Sequence, residues 1–381
     1  MTSSAPASTD SDASRYEWAE HLLSMEGGDP VPQKNPEWPG VVLVCVVAAL
    51  AFGISALAVR SGWSHARLLD PVLTSMIFGL LIGNLFGGNL FLAGTKFAVH
   101  RLLPAGIILL GARMDFLAAM KIGLPGFLLS ILVVTMSIGM IYGLRRQLGL
   151  ERAFACLLGV GTGICGGTAI VAIAPLVNAR ERDVMLGVAL VTLAGLVGMI
   201  MLPVAGGLLD LSQQQFGLLA GLTIHQTPQA IAAGFAYGDE AGQTATIAKL
   251  ARVCLLAPVA ALIGWLAARA DLPAGKTAKK WYQFLPGFAL GFLLMAAMRS
   301  LGLLPEISLS WEISDSPLNV DTATFLKQAS GFLLAAAMVG VGFQTRFAQL
   351  RDIGLRPFLV AGGASTIITI VVLIAVKLVV P

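Results

Sequence analysis

Long apolar segments separated by short polar links make up most of this chain. An α-helix needs about 20 predominantly apolar residues to cross a bilayer. Eleven such segments are predicted, near residues 39–59, 70–88, 96–114, 122–144, 153–177, 184–209, 215–236, 243–269, 282–303, 324–345 and 356–379. The chain is 56% hydrophobic and only 12% charged, which is about half the charged fraction of a soluble domain. The pattern therefore predicts an all-α polytopic membrane protein with about 11 transmembrane helices.

The pattern divides the chain into a polar N-terminal segment, residues 1–36, and a transmembrane domain, residues 37–381. In the polar segment Trp18, Leu22 and Met25 recur at helical spacing, which favours an amphipathic helix on the membrane surface. A disordered tail is the alternative. The segment is net acidic and lacks the basic start and apolar core of a signal peptide. The net charge of +4 comes from loop lysines and arginines and does not indicate a nucleic-acid partner.

An internal repeat is visible in the sequence. Residues 102–128 align without gaps on residues 333–359, with ten identities in 27 positions. The two copies lie seven segments apart, and this odd number places their turns on opposite faces of the membrane, as inverted repeats require. A weaker match relates residues 158–174 to residues 218–234. The sequence therefore predicts inverted repeats.

Lysines and arginines beside the apolar segments set the expected orientation. Eleven of them lie on the face that holds the N-terminus and eight on the other face. Cytoplasmic loops carry an excess of these residues, so we expect a cytoplasmic N-terminus in the bacterial inner membrane. A segment that turns back inside the membrane would change this count.

The fifth apolar segment is interrupted by five glycines between residues 159 and 167. Glycine permits the backbone conformations found where a helix unwinds, and non-helical backbone at membrane depth is tolerated only when it is buried in protein or lines a wet cavity. The freed N–H groups favour binding of an anion. Close helix packing through small residues is the alternative. The predicted substrate-binding residues are Thr162, Gly163, Cys165, Gly166, Gly167 and Thr168.

The seventh apolar segment carries four polar side chains around a proline that breaks the helix. Burying so many polar groups in hydrocarbon is costly, and Pro228 removes a backbone donor. A cavity is therefore expected, although a histidine hydrogen-bonded between helices is the simpler alternative. The predicted substrate-binding residues are His225, Gln226, Thr227 and Gln229.

The eighth apolar segment contains Lys249 and Arg252, which share one helical face. Charged residues inside a membrane are usually paired or face a cavity, and the fifth, seventh and eighth segments contain no carboxylate. An anionic substrate is the natural counter-charge, so both residues are predicted to bind it. Snorkelling of the two side chains to the membrane surface is the alternative.

With these motifs in hand, the chain resembles the YeiH-type family of proposed sulfate exporters, within the cation/proton antiporter and anion transporter superfamily. The resemblance covers roughly residues 40–380. It depends on residues 164–170, the His-x-x-x-Gln element at 225–229, the Lys-x-x-Arg pair at 249–252, and the Gly-Asn pair at 83–84. It implies two inverted bundles whose discontinuous helices cross at the centre, with an elevator or rocking motion.

The chain departs from the family pattern directly after the histidine, where many members carry an acidic residue and this chain has Gln226. His225 is then the leading candidate for proton coupling, because an unperturbed histidine has a pKa of about 6.5. No cofactor or metal site is expected, since the cysteines and histidines show no metal-binding spacing.

The residues and the resemblance together predict a secondary transporter for a small anion such as sulfate, sulfite or a related organosulfur or inorganic anion. An anion channel and a sodium-coupled organic-acid carrier of the same fold are the alternatives. An intramembrane enzyme is not expected, because the chain lacks the common metalloprotease and serine-hydrolase motifs. The expected partners are the anion and the lipid bilayer. The oligomeric state is open, a homodimer being one option.

Overall fold

A computed structural model describes most of the transmembrane domain. The interpretation of residues 1–36 as a surface helix lies outside the described residues. Those residues are 37–61, 69–86, 89–112, 116–269, 287–304, 309–311, 318–320, 322–345 and 355–380.

Helices make up nearly all of the described residues. In chain order they are α1 (Trp38–Arg60), α2 (Pro71–Phe86), α3 (Asn89–Phe97), α4 (Leu103–Gly111), α5 (Phe116–Gly143), α6 (Arg152–Gly163), α7 (Gly167–Ile173), α8 (Glu181–Leu208), α9 (Gln213–Thr223), α10 (Thr227–Tyr237), α11 (Asp239–Cys254), α12 (Leu256–Arg269), α13 (Gly287–Ser300), α14 (Thr322–Gln344) and α15 (Leu355–Val379). A π-helical turn, Ala98–Leu102, joins α3 to α4, and a 3₁₀ turn, Ala174–Val177, extends α7. Two short strands, β1 (Leu309–Trp311) and β2 (Leu318–Val320), pair antiparallel.

Seven helices within the described part of the chain are long and apolar enough to cross a membrane. They are Trp38–Arg60, Leu90–Gly111, Ile122–Gly143, Glu181–Leu208, Asp239–Leu266, Thr324–Gln344 and Pro357–Val379. Three shorter apolar helices, Pro71–Phe86, Gly167–Val177 and Gly287–Ser300, fall on further predicted segments. The prediction of an α-helical, multi-pass membrane protein is therefore confirmed.

The fifth predicted segment folds back on itself instead of crossing. A short turn separates α6 from α7, and a Cβ atom on Gly161 would lie 2.6 Å from Ile170 Cδ1, so the second arm packs against the first. At the other end, Glu151 before α6 forms a 3.1 Å ion pair with Arg180 after the 3₁₀ turn. We call α6, its turn, α7 and the 3₁₀ turn hairpin 1.

The seventh predicted segment is a second hairpin of the same kind. The rings of Phe216 in α9 and Tyr237 in α10 stack with their centroids 4.0 Å apart. The Tyr237 hydroxyl donates to Leu211 O at 2.5 Å, and the backbone N–H of Glu240 donates to Gln213 Oε1 at 3.1 Å. The start of α9 and the end of α10 therefore lie together, and we call α9, its turn and α10 hairpin 2.

The two hairpins approach each other from opposite ends of α8. Hairpin 1 leads into the start of α8 and hairpin 2 follows its end. We call the turn of each hairpin, with the helix ends beside it, its tip. Both tips reach the middle of α8: a Cβ on Gly161 would lie 3.2 Å from Val191, and a Cβ on Gly195 would lie 3.6 Å from His225 Cβ. An arm of about 12 residues spans roughly 18 Å, and the 28 residues of α8 span about 42 Å. Two opposed hairpins thus fit along one helix.

This arrangement corrects the expectation that discontinuous helices cross at the centre. The sequence marks the breaks, but glycines in a break permit a reversal of the chain as readily as a kink. The reversal is fixed by contacts between residues distant in sequence, such as those at the hairpin bases. The number of about 11 crossing helices therefore does not follow from the eleven apolar segments.

The weaker internal match has a clear structural counterpart. The first arms end at Gly163 and Thr223, and the second arms begin at Gly167 and Thr227. Both bounds are thus displaced along the chain by the same offset as the sequence match. The stronger repeat falls on α4 and α5 in one copy and on α14 and α15 in the other. Its turns lie partly outside the described residues, so the inverted orientation of that repeat stays a prediction.

A second group of helices packs beside the hairpins. The helices α2 and α14 approach so closely that a Cβ on Gly79 would meet the backbone of Val339, and a Cβ on Gly342 would meet the backbone of Met76. The Asn84 side chain of α2 donates to the backbone carbonyl just after the end of α14 at 2.8 Å. A buried cluster of alanine and valine side chains joins α1, the π-helical turn and α14. This group forms a continuous support on which the hairpin-bearing helices pack.

Candidate functional site

The second arms of the two hairpins begin at a point where the tips touch. Gly166 precedes α7 and Gln226 precedes α10, and a Cβ atom on Gly166 would lie 2.9 Å from Gln226 Cγ. Gly166 has a φ of +73°, a region that side chains on L-residues disfavour. Glycine therefore serves both the conformation and the close approach, and the N-terminal ends of α7 and α10 converge.

The converging helix ends carry partial positive charge. The first helical hydrogen bonds of α7 and α10 run from Ile170 N to Gly166 O at 3.2 Å and from Ala230 N to Gln226 O at 3.0 Å. The backbone N–H groups that precede these two donors therefore have no partner within their helix. Thr168 is exposed and Thr227 is partly exposed, although their neighbours in the first arms are buried. Such a helix end favours a bound anion, and this is the accessible face of the tips.

Lys249 lies on the opposite side of the break, between the ends of the two first arms. Its ammonium group donates to Ile164 O at 3.1 Å, Ile224 O at 2.7 Å and His225 O at 2.5 Å. These carbonyls belong to the turns of both hairpins. The side chain is fully buried.

Arg252, one turn further along α11, binds the same region. Its Nε donates to Gly163 O at 2.5 Å, its Nη1 to Leu222 O at 2.7 Å and to Ile224 O at 3.3 Å, and its Nη2 to Thr162 O. It is also fully buried. The alternative in which Lys249 and Arg252 snorkel to the membrane surface is therefore wrong.

Neither cation is neutralised by an acidic side chain in the described residues. The ion pairs found there are Arg180–Glu151 and Lys327–Asp239, both exposed and away from the tips. The partners of the two cations are carbonyl groups at the C-terminal ends of α6 and α9, where the helix dipole is negative. The partial negative charge of these helix ends is smaller than the charge of the two cations, so the hairpin tips keep a net positive charge.

His225 connects the tip of hairpin 2 to α15. Its Nε2 lies 2.9 Å from Ser365 Oγ, and Ser365 Oγ donates to Ala361 O at 2.7 Å. Because the hydroxyl proton is used in that second bond, Nε2 carries the histidine proton and donates to Ser365. The other ring nitrogen, Nδ1, is then an unprotonated acceptor, and it has no partner among the described residues.

Two glutamines anchor hairpin 2 to the middle of α8. The Gln226 side chain donates to Thr192 Oγ1 at 2.5 Å, and the Gln229 side chain donates to Thr192 O at 3.1 Å. Gln229 Oε1 and Thr162 Oγ1 are buried without a hydrogen-bond partner in the part of the chain that the structure describes. Buried polar atoms without partners are uncommon, and a bound water or ion is one of the explanations for them.

The structure brings the predicted site residues to one place. One group ends the first arm, forms the turn or begins the second arm of hairpin 1, and a second group forms the turn and the second-arm start of hairpin 2, with the two cations of α11 between them. The residues at this junction are Thr162, Gly163, Cys165, Gly166, Gly167, Thr168, His225, Gln226, Thr227, Gln229, Lys249 and Arg252. Their role in substrate binding stays a prediction.

Three residues that contact the site were missed by sequence reasoning. Thr192 and Gly195 lie in the middle of α8, and Ser365 lies in α15. Each is one of several small residues in a long apolar helix, and small residues are also common at ordinary helix contacts in membranes. Only the packing of α8 and α15 against hairpin 2 distinguishes them.

The fold and the site define an α-helical membrane protein with two opposed hairpins meeting at a buried cationic centre. Residues 39–361 match the family described as Conserved hypothetical protein 698. The chain belongs to this family, the UPF0324 or YeiH family of membrane proteins. No solved structure matches it.

Relatives in distant bacteria share most of the chain. A UPF0324 membrane protein of Pseudomonas aeruginosa is 34% identical over 352 residues, covering 90% of this chain and 94% of the relative. One from Bacillus cereus is 33% identical over 297 residues, covering 78% of this chain and 82% of the relative. One from Agrobacterium fabrum is 37% identical over 278 residues, covering 72% and 78%. These names describe membrane proteins and state no substrate.

Proposed function

We propose that this protein is a secondary transporter that carries a small anion across the bacterial inner membrane. The supporting observation is the convergence of the N-terminal ends of α7 and α10 at Gly166 and Gln226, above two buried cations without acidic partners among the described residues. Discontinuous helices whose N-termini face an anionic group are a recurrent substrate site of such carriers. In this proposal the anion lies against the exposed face of the tips, near Thr168 and Thr227.

Sulfate, sulfite and related organosulfur or inorganic anions are the proposed cargo, with proton coupling through His225. An anion channel is the second candidate, since the same cationic centre suits one. A sodium-coupled organic-acid carrier of the same fold is the third. The proposal is for a carrier and not an enzyme.

Inverted repeats are part of this proposal. The helix bounds beside the two breaks, Gly163 and Gly167 in hairpin 1 and Thr223 and Thr227 in hairpin 2, are related by one offset along the chain, and each hairpin is followed by long helical segments, α8 in one case and α11 with α12 in the other. Because the hairpins approach the middle of α8 from opposite ends, the two units have opposite directions across the membrane. This arrangement supports a two-fold axis in the membrane plane, and an elevator motion of the hairpin unit against the group containing α1, α2 and α14.

The hairpins also change the expected orientation count. Because hairpin 1 returns to the side from which it started, Arg180 and Arg182 move to the face that holds the N-terminus. Of the nineteen basic residues counted, thirteen then lie on that face and six on the other. The excess supports a cytoplasmic N-terminus.

Labelling from one side of the membrane tests this topology. In a variant without native cysteines, Gln214→Cys at the base of hairpin 2 is expected to react with a membrane-impermeant maleimide on intact cells, because that base faces outward. Arg182→Cys at the base of hairpin 1 is expected to react only after permeabilisation. Lys377→Cys at the end of α15 serves as an outward-facing control. All three positions are exposed. Labelling of positions 182 and 214 from the same side would contradict opposed hairpins.

A binding screen tests the substrate class. Purified protein is heated with sulfate, sulfite, bicarbonate, taurine or a carboxylate, and a ligand that binds only the native state raises the unfolding temperature. We expect one of the sulfur oxyanions to do so and to drive counterflow in proteoliposomes. Removing the two hydroxyls in Thr168→Val and Thr227→Val is expected to weaken binding by about 0.5–1.5 kcal/mol each, the usual value of one hydrogen bond.

The control for that screen is Thr366→Val, an exposed threonine of α15 whose hydroxyl bonds only to Gly362 O of its own helix. Its affinity should match that of the wild type. Flux that does not saturate and shows no exchange would favour the channel. Stabilisation by a carboxylate together with sodium, and by no sulfur oxyanion, would favour the organic-acid carrier.

A further inference from the structure

The two cations of α11 contact the hairpins in a symmetric manner. Lys249 donates to the carbonyls of Ile164 and Ile224, and Arg252 donates to those of Thr162 and Leu222. The two carbonyls of each pair are separated along the chain by one and the same offset. That offset also relates the helix bounds on either side of the two breaks, Gly163 with Thr223 and Gly167 with Thr227. Each cation therefore joins one pair of equivalent carbonyls across the two tips.

These contacts use almost all of the available donors. A lysine ammonium has three N–H donors and an arginine guanidinium has five. Lys249 has three carbonyl partners, and Arg252 makes four hydrogen bonds to backbone carbonyls. Both side chains are fully buried. An anion could bind Lys249 directly only by displacing a carbonyl of one of the hairpins.

The two sides of each break therefore have separate tasks. The C-terminal ends of α6 and α9 are negative and are bound by the cations, whereas the N-terminal ends of α7 and α10, which contain Thr168 and Thr227, are positive. Without the cations, carbonyls at the ends of two buried helices would face each other unpaired. Buried carbonyls without partners are strongly disfavoured.

We infer that Lys249 and Arg252 are positioning residues that tie both hairpin tips to α11, so that the two hairpins move with α11 as one body and hold the anion on the opposite side of the break. The inference rests on the proposed transport function, and it assigns the pair a different role from that of a direct substrate ligand. It also specifies the gating: neither tip opens alone during transport.

Hydrogen exchange in the absence of any anion tests this role. The backbone N–H groups of Ile164 and Ile224 are hydrogen-bonded within their hairpins, so their exchange reports local opening of each tip. In Lys249→Met we expect exchange to accelerate about tenfold at both tips, which corresponds to about 1.4 kcal/mol. Arg252→Lys keeps the charge but loses the planar fork, and an intermediate acceleration at both tips is expected.

Thr246→Val is the matched control, because Thr246 is a buried residue of α11 whose hydroxyl bonds only to Gly242 O of the same helix. In this variant the backbone amides at both hairpin tips should exchange at the wild-type rate. If Lys249→Met does not fold, the same two-tip comparison on Arg252→Lys decides the matter. Acceleration at one tip only, or at neither, would overturn the inference.

Added sulfate separates positioning from direct binding. If the pair positions the tips, sulfate should slow tip exchange by a similar factor in the wild type and in Arg252→Lys. If the pair binds the anion directly, apo exchange should be unchanged in the variant and the protection by sulfate should be lost. A wild type that does not respond to sulfate counts against the proposed substrate alone, because the comparison without anion still decides the role of the cations.

Discussion

Replacing Gly195 by alanine is expected to abolish most transport while leaving a folded protein. Gly195 lies at the middle of α8, where a Cβ atom would collide with Gln229 Oε1 and would lie 3.1 Å from Gln229 Cδ. The Gln229 side chain is fully buried and its Nε2 donates to Thr192 O, so a movement of the amide away from the methyl group would break that hydrogen bond. Overpacking of a buried site costs about 1–3 kcal/mol. The second arm of hairpin 2 must therefore shift away from α8, and the junction with Gly166 opens.

The neighbouring Gly198 provides the matched control. A Cβ there would lie 3.5 Å from Ile224 Cγ1, which is ordinary van der Waals contact. Gly198→Ala adds the same methyl group to the same helix, one turn away, and should transport at nearly the wild-type rate. The measurement is initial uptake in proteoliposomes, together with the unfolding temperature of each purified variant. Equal activity of the two variants would show that the contact of hairpin 2 with α8 is not needed for transport.

Sequence reasoning located the breaks well because their signals are local. The glycines between 159 and 167 lie in the last turns of α6, in the turn that follows or at the start of α7, and Pro228 is the second residue of α10. A break in a helix depends on residues at the break, so a single sequence contains the information.

The direction of the chain after each break could not be predicted in the same way. It depends on contacts such as Glu151 with Arg180 and Phe216 with Tyr237, which join the two ends of a hairpin across more than 20 residues of sequence. An exposed ion pair contributes little to stability by itself. In the sequence, two aromatic residues that will stack cannot be distinguished from other apolar residues. Only the three-dimensional contacts between the two ends of each hairpin show that the chain reverses.

The role of the cations was also beyond the sequence. The absence of acids in the fifth, seventh and eighth segments indicated correctly that Lys249 and Arg252 need another kind of partner. Backbone carbonyls are such a partner, but no residue type marks them, because every residue carries one. The sequence therefore favoured an anion as the counter-charge, whereas the geometry supplies seven hydrogen bonds from these two side chains to the hairpins.

His225 is expected to make anion transport depend on pH. The imidazole is neutral in the tautomer that donates to Ser365, and its free acceptor Nδ1 is the place where a second proton binds. Protonation would add a third positive charge beside Lys249 and Arg252. An arriving anion offsets that repulsion, so proton uptake and anion binding should favour each other. Apparent affinity for the anion should therefore rise as the pH falls.

The measurement is uptake or binding between about pH 5 and 8, the range over which an unperturbed histidine changes charge. His225→Gln keeps a side-chain group that can donate to Ser365 but cannot become charged, and it is expected to flatten the pH profile while the protein still folds. Ser365→Ala removes the acceptor of Nε2 and leaves the imidazole titratable, so its profile should shift without becoming flat. A wild-type profile without pH dependence, or one that His225→Gln leaves unchanged, would exclude His225 as the coupling residue and direct attention to sodium or to anion exchange.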